Sequence, residues 1–135
     1  MKIEGGTMKT IVRDEARGMY DNFHFAEAVE SGGFLFCSGI IGTGEGGKVP
    51  EDISEEFRNA WSSVVSLLNH AGTDVSSIVE FTSYHVGLQS HMGKFMAVRD
   101  EFVKEPWPAW TAIGISELAV LGAHVEIRVT AKTGK

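Results

Sequence analysis

A chain of 135 residues with 43% apolar and 22% charged side chains has the length of one domain and enough apolar mass to close a core. Its formal net charge of −6, with lysines and arginines placed singly rather than in runs, repels a phosphate backbone at long range, so nucleic acid is not the expected partner. No apolar run reaches the ~20 residues of a membrane span, Met1-Lys2-Ile3-Glu4-Gly5-Gly6 lacks the apolar segment of a signal peptide, and the single Cys37 excludes an internal disulfide, so no membrane partner and a cytoplasmic setting are expected.

Residues 7–12 form a short mixed run that reads as an edge strand. Residues 25–30 and 33–39 read as two extended runs joined through Ser31-Gly32-Gly33, where glycine supplies the positive φ angles of a tight hairpin. Cys37 lies among large apolar groups without a neighbouring cation, the setting of a buried structural thiol rather than a nucleophile. The glycine-rich loop 42–48 has the look of a phosphate cradle, but Val49-Pro50 follows Lys48 where a P-loop needs Ser or Thr and a helix start. The three- and four-residue spacing of Ile53, Phe57, Ala60, Val64, Leu67, Leu68 and Ala71 predicts a helix over 53–71, with Asp52 and Glu55 as a capping box and Gly72 as its stop.

Residues 78–86, rich in β-branched and aromatic side chains, read as a strand. Phe95, Val98, Phe102 and Val103 mark the buried face of a second helix that ends before Pro106, and strands follow over 110–116 and 124–132. The order β-β-β-α-β-α-β-β, with no repeat and no linker, gives one α+β domain over 1–135 with two helices on one face of a mixed sheet. In the last strand, alternation sends Val125, Ile127 and Val129 toward the helices and Glu126, Arg128 and Thr130 away from them. The segment Trp110-Thr111-Ala112-Ile113-Gly114-Ile115 is apolar on both faces, so a second copy of the chain is expected to cover the face that two helices leave open. The histidines, His24, His70, His85, His91 and His124, have no metal-ligand spacing; no metal or other cofactor is expected, and His85 reads as a packed or hydrogen-bonded residue within its strand.

Phe25-Ala26-Glu27-Ala28-Val29, Gly33-Phe34-Leu35-Phe36-Cys37-Ser38-Gly39, Leu67-Leu68-Asn69-His70-Ala71-Gly72, Pro108-Ala109 and Val125-Glu126-Ile127 resemble, in order and spacing, the Rid/YjgF proteins over nearly the whole chain. These are reactive-intermediate imine deaminases and their relatives. The resemblance implies a chorismate-mutase-like fold assembled as a homotrimer, sheets inward and helices outward, with a small-molecule cleft at each subunit boundary. In active members of that family, a water held by a glutamate and a backbone carbonyl attacks the imine carbon of a small 2-imino or 2-enamino acid. An arginine after the Pro-Ala pair clamps the carboxylate. Carried onto this chain, the glutamate is Glu126, the carbonyl belongs to Gly39, Phe25 stands where a tyrosine often closes the cleft mouth, and Trp110 stands where the arginine would be.

Loss of a bidentate arginine–carboxylate contact in a desolvated cleft costs roughly 2–5 kcal/mol, and an indole offers one neutral donor in its place. The chain therefore reads as a member of an arginine-lacking subgroup: an imine or enamine deaminase with a non-standard small-molecule substrate. The alternatives are a metabolite-binding member without catalysis and, against the acidic charge, an endoribonuclease. Glu126 either positions the water or pairs with Arg128 of a neighbouring subunit. Arg99 either reaches the cleft mouth as a substitute cation, or sits on a solvated helix face or pairs with Asp100 or a neighbour of Glu101. Trp107 and Trp110, with Ala112 at the same strand start, either wall the ligand or fill a subunit interface.

Overall fold

The computed structural model of the chain describes residues 4–5 and 8–134. In chain order they form β1 (Glu4–Gly5), β2 (Met8–Ile11), α1 (Arg17–Phe23), β3 (Ala28–Ser31), β4 (Phe34–Cys37), β5 (Ile40–Ile41), α2 (Ile53–His70), β6 (Ile78–Val86), α3 (Leu88–Phe102), β7 (Ala109–Ile115) and β8 (Val125–Lys132). The strands make one sheet in the order β1-β2-β3-β4-β8-β6-β7, with β5 also pairing β8. Among the described residues only β6 and β7 run parallel, so the sheet is mixed and the fold is α+β.

The alternation read in the last strand sets the layering. Val125, Ile127, Val129 and Ala131 are at most 2% exposed and pack with Leu35 and Phe81 against α2 and α3. The apolar stripe of α2 supplies Phe57, Trp61, Val64 and Leu68 to that core, and α3 supplies Phe95 and Val98. Each large side chain so enclosed contributes about 1.5–3 kcal/mol of transfer free energy. Aromatic edges lock α2 to the sheet and to α3: Trp61 meets Phe81 of β6 edge-on with centroids 5.1 Å apart, and Phe57 meets Phe95 of α3 at 5.3 Å.

Several expectations change in detail. Thr7, the first residue of the expected edge strand, lies outside the described residues, and the strand spans Met8–Ile11. The helix α1 was not expected, because none of its residues is buried and no apolar stripe marks it. The run expected over 25–30 pairs only from Ala28, and the run over 33–39 is regular only to Cys37, with β5 as a separate short strand. Asp52 caps α2 by accepting from the Ser54 N–H at 3.0 Å, while Glu55 lies 4.0 Å from Arg58; the cap is therefore an Asx-type contact. α2 ends at His70, one residue before the expected limit, and Gly72 turns the chain at φ +88. Val103 lies beyond the end of α3 yet is 2% exposed, so it closes the core from outside the helix. Cys37 is buried as expected, and burial pushes its thiol up to about 12. No helix among the described residues is long and apolar enough to cross a membrane.

Candidate active site

The site begins at a fault in the sheet. β4 pairs with β8 as far as Phe36 opposite Thr130, and β5 resumes with Ile40 opposite Ile127. The chain from 36 to 40 is thus one residue longer than the stretch from 130 to 127 that it faces, and Ser38-Gly39 bulges out. Ser38 turns back toward β3: its N–H donates to the Glu27 carbonyl at 2.9 Å and its hydroxyl to the Ala26 carbonyl at 2.6 Å. Gly39 has no side chain to fill the gap, and the side chain of Glu126 lies where a Cβ on Gly39 would stand.

Glu126 is half-buried on the sheet face away from α2 and α3. Its carboxylate has no hydrogen-bond or ion-pair partner among the described residues, and Arg128, two positions along the same face, is exposed and does not pair with it within the chain. Burial pushes its carboxyl above the ordinary glutamate range, with no donor or cation to offset the desolvation.

Beside it lies a buried ion pair. Glu27 accepts from Arg13 Nη2 at 2.6 Å, from Nε at 3.0 and 3.2 Å, and from the Arg13 backbone N–H at 2.9 Å. Arg13 Nη2 also donates to the Ser63 hydroxyl at 3.2 Å, and Nη1 reaches the Ser63 carbonyl at 3.5 Å and the Glu15 carboxylate at 3.6 Å. Both partners are 8% exposed, and every face of the guanidinium fork is engaged.

A cavity of about 630 Å³ opens over these groups. Met19 and Phe23 of α1, Phe25 just beyond it, and Ile41 form apolar walls; Ser38, Gly39 and Glu126 form the polar floor. A shallow depression of about 710 Å³ between residues 87–90 and 114–116 has no ionisable lining residue and offers no comparable chemistry.

Of the residues singled out in the sequence, Phe25, Gly39 and Glu126 therefore meet in one cavity. Arg99, Trp107, Trp110 and Ala112 do not join them within the chain. Register pairs Trp110 with Phe81 and Ala112 with Ser83, on the helix side of the sheet, whereas Glu126 pairs with Tyr84 on the other side. The Trp110 ring stacks on Phe81 with centroids 5.7 Å apart, and its indole N–H donates to the Ser83 hydroxyl at 2.9 Å. The Arg99 guanidinium lies 4.9 Å from the Trp110 ring and 5.8 Å from the Trp107 ring, and its Nε donates to Asp100 at 2.9 Å.

Ser83 starts a buried polar chain. Its hydroxyl is 2.7 Å from His85 Nε2, and His85 Nδ1 is 3.1 Å from His91 Nε2. Burial, aided by His91, pushes His85 down to about 4, and burial also lowers His91, so both rings are neutral near neutral pH. Nearby, the fully buried Glu56 accepts from the backbone N–H groups of His124 at 2.6 Å and Val125 at 3.2 Å, and lies 2.8 Å from His124 Nδ1. Glu56 thereby anchors the start of β8, one residue before Glu126. Among the described residues no group of three or more His, Cys, Asp or Glu side chains forms a metal cluster.

The sequence reading missed Arg13, Glu27 and Glu56. Glu56 had a signal, since it interrupts the apolar stripe of α2 three positions after Ile53 and four before Ala60. Arg13 and Glu27 had none, being brought together only by the pairing of β2 with β3.

Residues 19–133 match the family described as endoribonuclease L-PSP. The chain is 33% identical over 115 residues to the RutC family protein YjgH of Escherichia coli, covering 84% of this chain and 86% of that protein. A solved structure of a protein YjgH superposes with a TM-score of 0.84 at 29% identity, over 96% of this chain and 98% of that one. The Rid-family protein YyfA of Yersinia pestis, whose function is described as unknown, gives a TM-score of 0.75 at 27% identity, over 81% of this chain and 87% of that one.

Proposed function

The chain belongs to the endoribonuclease L-PSP family, the Rid/YjgF proteins, and from that footing we propose that it is a small-metabolite hydrolase in which Glu126 activates water against the C=N carbon of an imine or enamine. The observation that carries this reading is the unpaired, desolvated carboxylate of Glu126 seated on Gly39 inside a cavity of about 630 Å³. Glu126 takes a proton from the water as its oxygen bonds to the imine carbon, and returns a proton to nitrogen as the C–N bond breaks. The Gly39 carbonyl is the second acceptor for that water, and Phe25 walls the cleft. Comparing turnover of a panel of imines by the wild type and Glu126→Gln tests this: a fall of about 10²-fold or more is expected.

The proposed assembly is a homotrimer with the clefts at subunit boundaries. Phe36 and Ile113, 45% and 40% exposed, lie on the sheet face away from α2 and α3, an apolar surface that one chain leaves uncovered. Light scattering should return about three times 14.7 kDa; a stable monomer at micromolar concentration would remove the interfacial cleft. A second reading, metabolite binding without turnover, is favoured by the engagement of Arg13, the one cation among the cavity's described lining residues, with Glu27, which leaves a carboxylate substrate without a clamp within the chain. Ligand binding with no imine hydrolysed would establish it. RNA as a substrate is opposed by the formal net charge of −6.

A further inference from the structure

Building on the hydrolase reading, we propose that the cleft selects substrates that lack a carboxylate and carry their charge on nitrogen, namely iminium ions and the corresponding ammonium ions with an apolar body. Among the described residues three charged side chains line the cavity, the cation Arg13 and the carboxylates Glu27 and Glu126, so acid outweighs base. The one cation among them is saturated: Arg13 spends its fork on Glu27, Ser63 and Glu15, and both members of the Arg13–Glu27 pair are 8% exposed. Among the described residues of one chain, an incoming carboxylate would find no free cation there and would face Glu126. An N–H cation would instead supply the donor that Glu126 lacks within the chain.

The walls fit the same ligand. Phe23 and Phe25 are 71% and 41% exposed at the cavity, so their rings can meet a cation face-on or cover an apolar body. Arg99, the other cation singled out in the sequence, is held against Trp107 and Trp110 on the opposite face of the sheet and does not line the cavity. The reaction balances without a co-reactant other than water: one iminium ion and one water give one aldehyde or ketone and one ammonium ion. A C–O bond forms, the C=N bond breaks, both water protons finish on nitrogen, and nothing is oxidised or reduced.

The test uses the full chain and probes that share a phenyl ring and differ in the charge of a small head group. Binding of benzylammonium, benzyl alcohol and benzoate is measured by calorimetry at pH 7 and low salt. Turnover is measured on two imines generated in situ, one from benzylamine by an amine oxidase and one from phenylglycine by an amino-acid oxidase. Benzylammonium is expected to bind at least about tenfold more tightly than benzoate, and the carboxylate-free imine to turn over at least about tenfold faster than its 2-imino-acid counterpart. Glu126→Gln should abolish the binding preference with its circular dichroism unchanged, and Phe25→Leu, which leaves the floor of the site intact, should reduce it. Tighter binding of benzoate, or equal or faster turnover of the 2-imino acid, overturns the selectivity while leaving the hydrolase reading standing. Selective binding of benzylammonium with neither imine turned over supports the selectivity and removes the hydrolase. No binding of any probe overturns the proposal.

Discussion

The side chain of Glu126 and the backbone of Gly39 are packed so closely that a methyl group on Gly39 would overlap the carboxylate. Gly39 does not have a positive φ, so alanine is accommodated by the backbone itself, and the nearest atoms an added methyl would meet all belong to the Glu126 side chain. Gly39→Ala should therefore fold but displace the carboxylate, lowering turnover by about 10–10²-fold. A double variant with Glu126→Gln provides the check. The two losses should be strongly non-additive, because the second change removes the group that the first displaces; simple additivity would place the effect of Gly39→Ala elsewhere.

Desolvation of Glu126 has a consequence for stability. Its carboxyl titrates above the ordinary value of 4.5 in the fold, so the stability linked to it is fully present below that pH and is lost as pH rises through the folded value. At pH 7 the ionised group costs stability that an amide would not. Glu126→Gln should thus raise the melting temperature at pH 7, and the gain should close as pH falls below 4.5. A variant less stable than wild type at pH 7 would mean that the carboxylate finds a cation on a neighbouring subunit, with Arg128 the first to examine.

The fold was largely legible in the sequence wherever one periodicity governed one surface. Val125, Ile127 and Val129 alternate with Glu126 and Arg128, and that alternation alone placed Glu126 on the free face. The stripe from Ile53 to Leu68 likewise fixed the buried face of α2. What escaped was non-periodic. α1 buries none of its residues, so no stripe announced it, although it supplies Met19 and Phe23 to the cavity wall. The Ser38-Gly39 bulge depends on how β4 and β5 share β8, a relationship between segments about 90 residues apart that no local pattern encodes. Register sets Trp110 and Glu126 on opposite faces of the sheet within one chain, so a cleft that holds both has to join two subunits.

Glu56 holds the two backbone N–H groups at the start of β8, and it is fully buried. Glu56→Ala strands both donors and empties a fully buried side-chain position. The expected loss is about 3 kcal/mol or more in urea unfolding, with turnover per folded molecule also reduced because β8 carries Glu126. Glu56→Gln retains one acceptor oxygen and should cost less. Equal losses for alanine and glutamine would show that the charge, through His124, matters more than the backbone contacts.

Trp110→Arg, the change that restores the residue expected after Pro108-Ala109, gives the last prediction. Trp110 faces α3 and not the cavity: it stacks on Phe81, donates to Ser83, and carries Arg99 at 4.9 Å from its ring. An arginine there loses the aromatic stack, sets a second guanidinium against Arg99, and removes the indole N–H from the Ser83 hydroxyl that also meets His85. Together these should cost about 2–4 kcal/mol of stability, a little below the roughly 3–5 kcal/mol of a fully buried aromatic because Trp110 is only partly buried. The new side chain starts on the sheet face opposite Glu126, since the register sets Trp110 against Phe81 and Glu126 against Tyr84. Hydrolysis of carboxylate-bearing imines should therefore not improve. Trp110→Phe separates the contributions, keeping the stack while losing one hydrogen bond, for about 1 kcal/mol. Faster turnover of a 2-imino acid by Trp110→Arg at undiminished stability would defeat the prediction, and would mean that position 110 reaches the cleft of a neighbouring subunit.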